Sequence, residues 1–346
     1  PRRSLLFMAG DARYKWEHMI VSRMTDTHCG KIIRRGKRIS LTLRTALGLD
    51  GNPLPLICDN KYPLVWGHAE NGFSPLATPL CEKKHVHAVY DAIATQWHHT
   101  RGRRGVLWPG ATTFLRDIPI GSIVADIGCG DGKYFPAIWE AGCYVIGTDI
   151  SLPLLETSRN VYDEVPDSRL VSEKYHHLRN RPAVAAGDCM SLPLQSKSCD
   201  AAICIAVLHH LSTVERRTRC IEELARVVKK GGLINIQAWA MEQEDSSRRK
   251  FASNDVFVPF NAQPKHLKID ETVGVGTEHE TKSNAEVYSR ALDAEYDDEK
   301  GLVVFKRYCH LYRKGELEHL VDAIPSVEVV DSGFETGNYF MILRVL

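Results

Sequence analysis

From Ser122 to Ala240 short apolar runs alternate with segments of helical period. The runs predict strands at about 122–126, 143–149, 183–187, 200–205 and 233–240, and their alternation with helices predicts a parallel sheet covered on both faces. Val214 to Lys230 reads as a helix that ends at Gly231-Gly232, where glycine can take the left-handed conformation past the last turn. Upstream, Val86, Val89, Tyr90, Ile93 and Trp97 fall on one face of a helix over 85–97. The stretch before it, 61–84, is rich in Pro and Gly without a period and reads as linker. Between Met241 and Glu299 polar residues dominate and periodicity is lost, which predicts a partly disordered insertion at about 245–300. Lys314–Ile324 then reads as a helix, and Val327–Asp331 and Tyr339–Val345 as strands that close an antiparallel edge.

With 44% hydrophobic and 25% charged residues, the 346-residue chain has an ordinary globular composition and is long enough for more than one domain. No stretch approaches the roughly 20 apolar residues of a spanning helix, so no membrane association is expected. The first residue is Pro1, not Met, and the chain reads as a piece cut from a longer one. The 10 cysteines are scattered without a C-x-x-C pair, and Cys199 and Cys204 fall inside predicted strands, which suits reduced thiols in an intracellular setting, the cytoplasm and also the nucleus. A net charge of +1 gives no global attraction to nucleic acid, so phosphate contacts must come from local clusters. Three clusters exist: Lys31 to Arg44, the compact Arg101-Gly-Arg-Arg104, and Arg216, Arg217, Arg219, Arg226, Lys229 and Lys230 along one helix, the last reading as a solvated face.

The first predicted strand runs into Asp126-Ile-Gly-Cys-Gly-Asp-Gly132 and then a helix. A glycine turn at that place lets a ligand lie against the backbone, with the unpaired N–H groups of the next helix nearby. The pattern D-x-G-x-G-x-G differs from the G-x-G-x-x-G of dinucleotide folds and points to S-adenosylmethionine (SAM). Asp149 ends the second strand, where a carboxylate can accept both ribose hydroxyl protons and, compatibly, cap the next helix. Asp188 ends the third, in reach of an adenine amino group, and His209-His210 follow the fourth at the crevice where open α/β sheets bind ligands.

From about His85 onward the chain resembles the eukaryotic tRNA wobble-uridine carboxymethyl methyltransferases. The resemblance rests on His87-Ala-Val-Tyr-Asp-Ala-Ile-Ala94, Thr100-Arg101, Trp108-Pro109, Gly121 to Tyr134, Ser198-Cys-Asp-Ala, Ile205 to His210, Trp239 to Glu244, Arg307 to Leu317 and Gly337-Asn338. The spacer between Arg101 and Trp108 is longer than the family's. The first ~50 residues resemble the end of an AlkB-type iron and 2-oxoglutarate dioxygenase, through Pro1 to Leu6, Arg13 to His18 and Arg38 to Arg44. On a strand, Arg38 and Arg44 face one way and suit one dicarboxylate.

These resemblances imply an α/β class I SAM-dependent methyltransferase, a doubly wound, seven-stranded and mostly parallel sheet over 85–346, preceded by a fragment of a double-stranded β-helix dioxygenase (1–50) and a linker (51–84). They imply methylation of the carboxylate of 5-carboxymethyluridine at wobble position 34, with the tRNA anticodon loop and a small zinc-binding activator subunit as partners. Arg101 would hold the carboxylate, Arg307 standing second, with His209 and His210 shaping the pocket. SAM would be held by Tyr90, Asp126, Gly128, Gly130, Gly132, Asp149, Asp188, Cys189 and Ala206. His18 would be an iron ligand and Arg38 and Arg44 the 2-oxoglutarate anchors, but the other ligands of the iron triad would lie upstream, so Fe(II) and 2-oxoglutarate belong to a full-length dioxygenase. A small-molecule methyltransferase with the same core, or a SAM-binding scaffold without turnover, is the alternative; the matches at Trp239–Glu244 and Arg307–Leu317 favour tRNA.

Overall fold

The computed structural model describes residues 25–28, 31–34, 77–101, 106–165, 179–244, 247, 249–267 and 281–346. Two compact units are present, Pro1–Trp66 and Gly67–Leu346. In the first, β1 (Thr25–His28) pairs antiparallel with β2 (Lys31–Arg34), Thr25 opposite Arg34. His18, Arg38 and Arg44 lie outside the described residues.

The second unit carries the seven-stranded sheet. Its strands are β3 (Ile123–Ile127), β4 (Tyr144–Asp149), β5 (Ala183–Ala186), β6 (Cys199–Ile205), β7 (Val228–Trp239), β11 (Val327–Glu335) and β12 (Asn338–Val345), in the order β11-β12-β7-β6-β3-β4-β5. From β7 to β5 neighbouring strands are parallel; β12 alone runs against both its neighbours. The chain leaves β3 toward β4 and β5 and returns on the other side through β6 and β7. The strand order therefore reverses between β3 and β6, the place where such sheets open a crevice.

Alternate residues of each strand feed two cores, as the period of two requires. Ala125, Ala202 and Ile234 pack with α5 (Val214–Val227) and α7 (Glu316–Val321). Val124, Ala201 and Ile203 pack with α2 (Pro109–Arg116), α3 (Phe135–Glu140) and α4 (Leu152–Glu164). A third, smaller core joins α1 (Ala88–Arg101) and α6 (Thr281–Ala291) to a separate antiparallel sheet, β8-β10-β9, made of β8 (Asp255–Ala262), β9 (Glu295–Asp297) and β10 (Leu302–His310). Gln96 pins α1 to β8, its Nε2 donating to Asn261 O (3.0 Å) while its Oε1 accepts from Gln263 N (2.6 Å).

Four expectations need correction. The described residues within 245–300 include regular structure: β8, β9 and α6 form one layer with β10, because the alternation in Asp255–Ala262 has a partner strand roughly 40 to 55 residues downstream. The helix 214–230 ends at Val227; Val228 already pairs with Cys199, and Lys229 to Gly232 bulge out before Leu233 pairs with Ala201. Gly231 takes φ +82° in that bulge and so serves the strand, not the helix end. The linker stops short of residue 84, since Leu80–Glu82 and a π-helical turn, Lys83–His87, lead directly into α1. The basic face of α5 is not solvated at its start, where Arg216 and Arg217 are buried.

Candidate active site

One cavity of about 610 Å³ opens at the C-terminal ends of β3 to β6 and runs under α1 to the second sheet. That size suits a ligand larger than a metabolite fragment. Asp126, Gly128, Gly130, Asp149, Asp188, Cys189 and Ala206 all line it.

The turn after β3 is shaped by backbone. Gly128 takes φ +70°, and a Cβ there would come within 2.3 Å of Val207 Cγ2. The Asp149 carboxylate ties the two strand ends together, Oδ2 accepting from Gly130 N (2.8 Å) and Oδ1 from Ser151 N (2.9 Å). Each oxygen keeps a lone pair for a ligand hydroxyl. Burial raises the pKa of Asp149, against the lowering by the Ser151 and Gly130 amides. Capping of α4 falls to Ser151, whose Oγ accepts from Leu154 N, which corrects the cap reading of Asp149 and leaves its ribose reading untouched. Asp188 accepts from Met190 N (3.0 Å) and lies 3.7 Å from the Arg216 guanidinium. Ala206 sits in the left-handed region at φ +63°, costly for a residue with a Cβ, and turns the chain into the cavity after β6. Gly132 is a correction: it does not line the cavity, and a Cβ there would meet Phe135 Cδ2 at 2.8 Å, so it serves the packing of α3.

Arg216 braces this acidic end of the cavity from behind. Its guanidinium pairs with Glu82, whose carboxylate also accepts from Ser212 N (2.7 Å) and Ser212 Oγ (2.8 Å). Glu82 and Arg216 are both almost completely buried. Sequence reasoning placed one in a linker and the other on a solvated face. No local signal links residues so far apart, since each looks polar in its own surroundings.

The other end of the cavity is basic and aromatic. His209 and His210 form a 3₁₀ turn after β6, and both are buried. The Tyr308 carbonyl can only accept, so His210 carries its proton on Nδ1 (2.8 Å), and Nε2 accepts from Tyr90 Oη (2.8 Å). Trp239 N donates to His209 Nδ1 (3.4 Å). Burial lowers the pKa of His210 to about 4 and that of His209 well below its ordinary value, so both rings are neutral at physiological pH. Arg307, from β10, points its guanidinium between Trp97 and Phe260 (5.4 and 5.6 Å to the ring centroids), with Nη1 3.5 Å from Tyr90 Oη. Among the described residues it has no carboxylate within 4.0 Å, and its buried Nε has no hydrogen-bond partner. Tyr90, expected to hold the cofactor, lines the same cavity, and its hydroxyl joins this Arg307–Tyr90–His210 chain. Arg249, which sequence reasoning missed, lies over Trp239 at 4.5 Å from the ring centroid, also without a carboxylate partner among the described residues.

Arg101 closes α1, but its side chain and residues 102–105 lie outside the described residues, Arg103 and Arg104 among them. His209, His210 and Cys309 have ligand-type atoms within 4.8 Å of one another. Both nitrogens of His210 are already engaged and a cation there would face Arg307 and Arg249, so the trio is a packed wall of the cavity. Cys189 lines the cavity, and the hydrogen bond with the neighbouring Cys220, together with burial, raises its pKa and favours the neutral thiol. No helix among the described residues is long and apolar enough to cross a membrane.

Residues 125–236 match the family described as "Methyltransferase domain". Among solved structures, the CcbJ methyltransferase from Streptomyces caelestis superposes with a TM-score of 0.51 at 14% identity, covering 75% of this chain and 98% of that one, a likeness of fold. The tRNA (carboxymethyluridine(34)-5-O)-methyltransferase ALKBH8 of Mus musculus is 30% identical over 99% of this chain, which spans 58% of the mouse protein's length. The tRNA (carboxymethyluridine(34)-5-O)-methyltransferase of Schizosaccharomyces pombe is 31% identical, with 75% of this chain and 96% of that protein covered. The fold is that of the class I SAM-dependent methyltransferases, and the chain belongs to the family of the tRNA (carboxymethyluridine(34)-5-O)-methyltransferases.

Proposed function

We propose that the protein transfers a methyl group from SAM to the carboxylate of 5-carboxymethyluridine at wobble position 34 of tRNA, giving the methyl ester. The observation that carries this reading is the opposite charge of the two cavity ends. Asp126, Asp149 and Asp188 line one end, with acceptors for ribose hydroxyls and an environment that favours a sulfonium cation; Arg307 lines the other, a cation without a carboxylate partner among the described residues. Bound at the acidic end, SAM supplies an electrophilic methyl group. Asp149 and the Gly128–Gly130 turn hold and orient the nucleoside part.

A carboxylate is ionised at neutral pH, so no general base is required. Arg307 receives its oxygens through charge-assisted hydrogen bonds and fixes their direction, while Trp97 and Phe260 exclude water. The neutral His209 and His210 wall the pocket and remove no proton. Tyr90 and the His210 ring keep Arg307 in place. We assign Arg307 the first place in holding the substrate and Arg101 the second.

The small zinc-binding activator subunit is proposed to dock at β5. Among the described residues that strand pairs only with β4, and Ala183 and Ala186 are exposed, an edge that suits a partner strand. Residues 1–50 are proposed, on resemblance, to belong to an AlkB-type dioxygenase, with His18 toward Fe(II) and Arg38 and Arg44 toward 2-oxoglutarate.

The test of the reaction is mass spectrometry of wobble nucleosides after incubation of carboxymethyluridine-bearing tRNA with SAM. An added methyl group that mild alkali removes is the ester expected. A methyl group stable to alkali, or none, contradicts the reading.

A further inference from the structure

Among the described residues two guanidiniums face this cavity, yet a carboxymethyl group brings one negative charge. Arg307 is deep, 8% exposed, and a single carboxylate can satisfy it through a bidentate pair. Arg249 is exposed at the cavity rim, and Trp239 fixes its height, the guanidinium lying 4.5 Å over that ring while the same ring packs on His209 at 5.2 Å. Stacking on a ring face leaves the N–H edges of a guanidinium free for an anion. Among the described residues the only hydrogen bond of Arg249 is from its backbone N–H to Ser247 Oγ (3.2 Å). Partial desolvation of the guanidinium against Trp239 and the charge of Arg307 both lower the pKa of Arg249, so the two cations oppose each other until anions arrive.

We propose that Arg249 is a separate anion contact for a phosphodiester group beside the target nucleotide, making the site selective for carboxymethyluridine within a chain over the free nucleoside. The proposal rests on the reading that Arg307 takes the carboxylate. In an RNA strand the phosphodiester is the anion tethered nearest to the base, and it enters last, at the mouth.

The test uses two anticodon stem-loops carrying carboxymethyluridine, one with natural linkages and one with neutral methylphosphonates on both sides of that uridine. Arg249→Ala is expected to raise KM on the natural loop about tenfold, the loss of one charged contact, with kcat and S-adenosylhomocysteine affinity unchanged. The slope of log KM against log salt should fall by about one. On the neutral loop the variant should match the wild type. An equal loss on both loops, or a fall in kcat at constant KM, overturns the proposal by placing Arg249 on the carboxylate. Fluorescence anisotropy of the same loops, with protein saturated in S-adenosylhomocysteine, separates this from the reaction itself. Should no ester form with either loop, the reaction fails; equal affinity of wild type and variant for the natural loop then overturns the Arg249 contact independently.

Discussion

The acidic and basic ends of the cavity are assembled in different ways. Asp126, Asp149, Asp188 and Ala206 each stand at or just past the tip of a strand in one sheet, so strand order alone brings them together. The basic end draws Tyr90 and Trp97 from α1, Trp239 from β7, Phe260 from β8 and Arg307 from β10, and only the packing of the second sheet under α1 makes them neighbours. The end proposed for the cofactor, common to many reactions, is thus a local, backbone-rich device. The end proposed to set the substrate is non-local and built from side chains.

If α1 and the cofactor end are one mechanical unit, the largest effect should come from the pair that ties them. Glu82→Ala takes the closest carboxylate from the buried Arg216 guanidinium and leaves it only the longer 3.7 Å approach to Asp188, a loss on the order of 3 kcal/mol of stability. Urea unfolding measures it. Replacing both residues together, Glu82→Leu with Arg216→Met, should restore most of the loss; a single variant as stable as the wild type would detach α1 from the account.

Asp149→Ala comes next. It removes the acceptor of Gly130 N and Ser151 N together with the ribose contacts, and S-adenosylhomocysteine affinity should fall by about two orders of magnitude with the far-UV spectrum unchanged. Calorimetry that found the affinity intact would reduce Asp149 to a loop brace.

How far each end can be read from sequence follows from this difference. The strand-tip acids and glycine turn are legible because each is fixed by neighbours a few positions away. Glu82 and Arg216 are not, because a charged residue paired across the fold reads locally as solvent-facing. The same holds for the bulge at Gly231, where the pairing of Val228 with Cys199 outweighs the helical period. Arg249 sits in a polar stretch whose composition conceals its place over Trp239. Arg307 was legible through family resemblance, and its burial between two rings was not.

A smaller effect should appear in the pH dependence of stability. Burial lowers the His210 pKa from 6.5 to about 4. Between these values the unfolded chain binds the proton and the folded one does not, so stability rises with pH across that window and falls on acidification. His210→Gln should show a shallower decline in urea midpoint between neutral pH and about pH 5. An unchanged slope would mean that the ring is protonated in the fold.

The central claim is that the two ends act separately, one on cofactor and one on the substrate carboxylate. Arg307→Ala tests it most directly, with S-adenosylhomocysteine affinity by calorimetry measured beside methyl-ester formation on carboxymethyluridine tRNA. Affinity within about twofold of wild type with kcat/KM lowered by two to three orders of magnitude is the predicted result. Turnover that survives the loss of Arg307, or affinity that falls in step with turnover, would contradict it.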